Sequence, residues 1–112
     1  MKNTVILLTS NGMGRADEKL SCLLLGKYLD LVIQSDNLPA AICFYTEGVK
    51  LVCEGSPVLE ELRALETKGV RLIVCSTCLH YFDLTDKALV GIVGGMGDIL
   101  EAQTKAEKVI TL

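Results

Sequence analysis

At 112 residues, half of them hydrophobic, the chain is long enough for one domain (residues 1–112) with a single core. With no Trp and only two Phe, that core must be aliphatic, and a net charge of −3 with scattered Lys and Arg excludes the basic stripe that would make nucleic acid the main partner. No apolar run approaches the roughly 18 residues that span a bilayer, and Val5–Leu8 is too short for a signal-peptide core, so the expected location is the cytoplasm, where five cysteines point to redox, catalytic or core roles rather than to a disulfide framework.

In chain order, Thr4–Leu8 is a β-branched apolar run of the kind buried in a parallel sheet. The loop Thr9–Arg15 carries Gly12 and Gly14 and leads to a long helix whose first turn holds Asp17 and Glu18, as the helix dipole prefers. Leu20, Leu24, Tyr28 and Leu31 recur at helical spacing and are expected to form its buried stripe. Pro39–Tyr45 is the second strand, ending at Thr46–Gly48; Val49–Cys53 fits neither period. Ser56 and Pro57 are suited to open a second helix with Leu59, Leu62 and Leu65 inward, and Lys68 with Gly69 closes it.

Val70–Cys75 is the third strand, and a short helix near Cys78–Phe82 follows, with Thr77 as a candidate cap. Leu89–Val93 is a fourth strand, Gly94–Gly97 a flexible loop, Asp98–Thr104 the last helix and Lys108–Leu112 a fifth strand. Alternating strands and helices predict an α/β fold with a parallel sheet covered on both faces. Loops 9–15, 46–48, 75–77 and 94–97 then share the edge after the strand C-termini, where open α/β sheets place their sites.

Cys75 and Cys78 stand at that edge as Cys-x-x-Cys. One thiolate, with its pKa lowered at a helix N-terminus, could accept sulfur as a persulfide; the pair could cycle between dithiol and disulfide; or the two could be buried structural residues. A zinc site would need a second Cys or His pair, which neither Cys53 nor the lone His80 supplies, so no metal is expected. Cys22, Cys43 and Cys53 are expected to be packing residues, and His80 to face solvent or an interface. Gly12 and Gly14 do not complete a nucleotide-binding pattern: Asp17 stands where a third glycine belongs, and the acidic helix start repels phosphate. Tyr81, Phe82 and Met96 could form an exposed apolar patch.

The run Val70–Leu84 with both cysteines, then Asp86, Lys87, Val90 and Gly91, resembles the DsrE/DsrF-like sulfur-relay family, most closely the C-terminal domain of YedF-type "selenium metabolism" proteins. Gly12, Met13, Gly14, Asp17, Glu18, Leu20, Pro39, Gly48, Val49, Leu51, Met96 and Ile99 extend the likeness along the chain. The resemblance implies a three-layer α/β/α domain with a mainly parallel five-stranded sheet, assembly into homo- or hetero-oligomers, and a persulfide on a cysteine after strand three. The acceptor role falls on Cys75 and Cys78 as a pair, stabilised by backbone N–H groups of Ser76–Leu79. Ser10, Asn11, Gly12, Met13, Thr46, Ser76, Thr77, Gly95 and Met96 would frame the pocket. No cofactor is required, and the implied partners are a sulfur donor or acceptor protein of TusA-like type and further copies of the chain. In YedF-type proteins a TusA-like domain with a Cys-Pro motif comes first, so this chain is expected to be a stand-alone version or a domain of a longer protein. The alternatives are a dithiol oxidoreductase using Cys75 and Cys78, or a non-catalytic oligomeric binding or scaffold module.

Overall fold

β-branched and aliphatic runs without intervening charge can only be buried on both faces, and the first strand, β1 (Thr4–Leu8), is buried at every position in the computed structural model, which describes residues 1–112. The same holds for β2 (Ala41–Phe44) and for β3 (Arg71–Cys75) after its exposed first residue. With β4 (Ile92–Gly94) and β5 (Lys108–Thr111) they form one sheet in the order β4-β3-β2-β1-β5, every pair parallel. β4 and β5 are the edges and are largely exposed.

Asp17 is the N-cap of α1 (Glu18–Ser35) rather than a residue of its first turn, and its carboxylate accepts from Leu20 N–H at 2.9 Å. α1 packs against α2 (Leu59–Thr67) on one face of the sheet. The return from β4 to β5 runs the opposite way across the sheet, so the right-handed crossover places α4 (Met96–Lys105) on the other face, with Ile99 and Ala102 buried beneath it. The result is the three-layer α/β/α arrangement with a five-stranded parallel sheet. No helix is long and apolar enough to cross a membrane.

One expectation is overturned on α1. Leu20, Leu24 and Leu31 face outward, 45%, 43% and 65% exposed, and Tyr28 is half-buried; the inward residues are Ser21, Leu25, Leu29 and Val32. α1 carries two apolar stripes about a residue out of phase, and periodicity alone does not say which one meets the sheet. Smaller shifts concern starts. The short helix α3 (Ser76–Tyr81) opens at Ser76 and α4 at Met96, so Gly94–Gly97 is not a loop but the end of β4, an N-cap and the first helical turn. α2 opens at Leu59, not at Pro57, although Ser56 Oγ accepts from Val58 N–H at 3.3 Å. β4 begins three residues later than Leu89. The stretch that fitted neither period is a 3₁₀ helix, Thr46–Val52, with Val49, Leu51 and Val52 in the core.

Candidate thiol site

β3 passes into α3 (Ser76–Tyr81) without a loop: Cys75 is both the last strand residue and the N-cap position, extended at φ −70° and ψ 116°. It makes no side-chain capping bond, and Thr77 lies inside the helix, so the expected threonine cap is absent. Cys75 is buried, 1% exposed, whereas Cys78, one turn on, is half-buried. Cys75 pairs in the sheet with Gly94, which brings Gly95, the N-cap of α4, and exposed Met96 to the same edge.

The partner of Cys78 comes from another strand. Its Sγ accepts a hydrogen bond from Thr46 N–H at 3.1 Å, across 32 residues of sequence. Thr46 is separated from β2 by Tyr45 alone and has φ 49°, the left-handed region that β-branched residues avoid. Its hydroxyl reaches the carbonyls of Thr9 and, at 2.7 Å, Tyr45. The turn is pressed onto the end of β1: Tyr45 N–H donates to Leu8 O at 3.2 Å, and a Cβ at Gly48 would overlap that same oxygen.

Burial pushes the Cys78 thiol above its ordinary value; the Thr46 N–H pulls it down, and Cys75 adds to the rise through its hydrogen bond and charge. This corrects two expectations. The donor to the sulfur is Thr46, and no hydrogen bond from the N–H groups of Ser76–Leu79 reaches it. Desolvation also outweighs the Thr46 hydrogen bond, so the thiol is shifted upward from its ordinary value, not downward as a helix N-terminus would shift it.

The remaining pocket candidates divide. Ser76 and Thr77 are exposed beside Cys78. The 10–13 segment is folded back on α1: Ser10 Oγ donates to Gly12 O (3.4 Å), Met13 N–H to Ser21 O (3.0 Å) and Cys22 Sγ to Asn11 O (3.5 Å). Gly12 is buried at φ 131°, where a Cβ would strike Ser21. These residues shape the edge without converging on the sulfur as Thr46 does.

The larger surface grooves lie to one side. One of about 870 Å³ runs between α1 and residues 55–61, past Cys22, Gly26, Val58 and Glu61. A second, about 370 Å³, holds Asn11, Lys50, Cys53 and Phe82. Lys50 stands 4.7 Å over the Phe82 ring and 3.3 Å from Glu47, while Tyr81 meets Phe82 edge-on at 5.2 Å. Lys50 went unremarked in the sequence; its position three residues after Glu47 was the available signal. Tyr81 and Met96 are exposed and Phe82 is half-buried against the core, so only two of the three expected patch residues face solvent. Cys43 and Cys53 are buried, Cys53 donating to Val49 O at 3.2 Å, Cys22 packs at the core margin, and His80 is exposed. No three His, Cys, Asp or Glu side chains converge as metal ligands.

Sheet, layers and element order define a three-layer α/β domain with two cysteines, Cys75 and Cys78, at the exit of its third strand. The chain belongs to the DsrE/DsrF-like family, whose sequence model matches residues 2–112. Among solved structures it is similar to the ychN protein from E. coli, at 16% identity, full coverage of both chains and a TM-score of 0.73. It is also similar to MTH1491 from Methanobacterium thermoautotrophicum, a protein of unknown function, at 22% identity, 97% of each chain and 0.71. BT1422 from Bacteroides thetaiotaomicron, a conserved protein of unknown function, matches at 19% identity over 98% of this chain and 95% of its own, with a TM-score of 0.68. At these identities the structural likeness carries the fold. No curated protein matches the chain in sequence.

Proposed function

We propose that the protein is a cytoplasmic sulfur-relay carrier that takes up sulfane sulfur, or selenium in the same oxidation state, on Cys78. The observation that carries this reading is the pairing of access with a donor: Cys78 is the half-exposed thiol at the strand-end edge, and it receives an N–H from a separate loop. Cys75, buried beneath it, is the weaker candidate acceptor. In the transfer, Cys78 loses its proton to solvent and the thiolate attacks the terminal sulfur of a donor persulfide. The donor S–S bond breaks, the donor leaves as a thiolate, and Cys78 carries the new S–S bond. A donor or acceptor protein of TusA-like type, with its own exposed thiol, and the YedF-like context belong to this reading. So does assembly with further copies of the chain, which the outward leucines of α1 favour.

Incubation of the reduced protein with a persulfide donor tests it by intact mass. A gain of one sulfur is expected in the wild type and in Cys75→Ser, and none in Cys78→Ser. Absence of any gain while donor controls react removes the relay.

A second reading rests on the placement of the two thiols, Cys75 at the N-cap of α3 and Cys78 one turn on. A dithiol oxidoreductase would show a reversible Cys75–Cys78 disulfide with a defined potential and no gain of sulfur. The raised Cys78 pKa also suits a non-catalytic binding module in predicting slow alkylation at neutral pH, and the mass experiment separates that module from a carrier.

A further inference from the structure

The geometry points to Thr46 as the positioning residue of the thiol site: its left-handed backbone, tied by its hydroxyl to the exit of β1, exists to aim an N–H at Cys78 Sγ. The inference rests on the reading of Cys78 as the reacting sulfur and adds how that sulfur is prepared.

Three observations carry it. First, a β-branched residue at φ 49° is strained, and Thr46 is exposed, so packing of its side chain does not force the conformation. Gly or Asn would adopt the same turn at lower cost. Second, Thr has what those residues lack: a hydroxyl beside a methyl, and that hydroxyl bonds the Thr9 carbonyl on the neighbouring strand's exit loop. Third, the N–H this fixes meets no backbone carbonyl; it meets the sulfur at 3.1 Å. The aim is set from β1, because Leu8 pairs with Phe44 in the sheet, Leu8 O accepts from Tyr45, and the Gly48 backbone lies against the same oxygen.

An N–H at this distance favours the charged sulfur over the neutral thiol, since an ionised acceptor makes the stronger bond. It therefore opposes the desolvation that burial imposes, and it does so from a loop outside the Cys-x-x-Cys segment. The same N–H faces Cys78 whenever the sulfur must release its proton before attack. Cys75 is the other titratable group in contact with it.

The test is a pH titration of the intact protein, followed at two places. In ¹⁵N-labelled protein the Thr46 amide proton is expected to shift with the same midpoint as Cys78 alkylation, read by peptide mass, and to lose that shift in Cys78→Ala. In Thr46→Val, which keeps shape and branching but not the hydroxyl, the alkylation midpoint should rise by about half a pH unit, roughly threefold slower alkylation at neutral pH. The rate plateau at high pH should stay where it was, because access is unchanged. Thr46→Ser should restore the wild-type profile.

A Thr46 amide that does not titrate, or a Thr46→Val midpoint equal to wild type, overturns the proposal. So does a change in plateau alone, which marks a purely structural residue. A titrating amide in a protein that gains no sulfur leaves the positioning intact while the relay reading fails.

Discussion

Gly48 carries as much of the site as the cysteines do, though it has no side chain to contribute. The 3₁₀ turn after β2 lies so close to β1 that a methyl group at this position would occupy the space of the Leu8 carbonyl oxygen. Backbone cannot yield as a flexible side chain can, so Gly48→Ala is expected to cost about 3 kcal/mol of stability. The measurement is urea denaturation, with Gly55→Ala, where a Cβ meets nothing within 4 Å, as the comparison for strain at φ 88° without a clash. Equal losses in the two variants would show that close approach to β1 is not what fixes the turn. At this scale Cys78, Thr46 and the glycine loops were legible as candidates, because residue type and place in the element order suffice to bring them to one edge. The Thr46–Cys78 contact was not legible. It depends on one backbone angle and on a register between elements 32 residues apart, and neither leaves a mark in spacing.

At the scale of elements, strands were easier to read than helix faces. A run such as Val5–Leu8 is buried on both sides, so its orientation does not need to be guessed. α1 presents a choice, since its leucines and valine form one stripe inward through Leu25, Leu29 and Val32 and another outward through Leu20, Leu24 and Leu31. Substitution tells them apart. Leu25→Ala, at a fully buried position, is expected to cost about 2–5 kcal/mol. Leu24→Lys should leave monomer stability within about 0.5 kcal/mol, because the side chain is already 43% exposed. If α1 is an interface between copies, Leu24→Lys with Leu31→Lys should lower the molecular mass seen by sedimentation equilibrium. A monomeric wild type would place the outward stripe outside any self-contact.

For the whole molecule, the aliphatic core has a signature in alkaline solution. Cys43 is fully buried in β2, and burial raises its thiol to about 11, against the smaller opposing effect of Arg71. The unfolded chain releases that proton near the ordinary value of 9.0. Between these values the native state binds more protons than the unfolded state, so stability is complete below the window and falls as pH rises through it. The loss is on the order of 2 kcal/mol, and the raised pKa values of Cys22, Cys53 and Cys78 act in the same direction. Urea midpoints on either side of the window should show the decline, and Cys43→Ala should flatten it whatever that variant's stability at neutral pH. The overall architecture was the most legible level of all, since alternating elements of these lengths admit few other arrangements. The position of the thiols within it is less usual: the connections reverse direction between β1 and β5, whereas Cys75 ends β3, two strands away.

The order of the strands also sets a timetable for synthesis. β1 occupies an interior place in the sheet, yet its second neighbour, β5, is Lys108–Thr111, so the pairing Thr4↔Lys108 closes the largest loop the chain contains. While the ribosome is still adding residues, β1 can pair with β2 on one side only, and its other side presents unpaired amides along Val5–Leu8. A nascent or prematurely ended chain therefore exposes an apolar strand edge to its neighbours in a polysome, and what closes that edge is a four-residue strand delivered last.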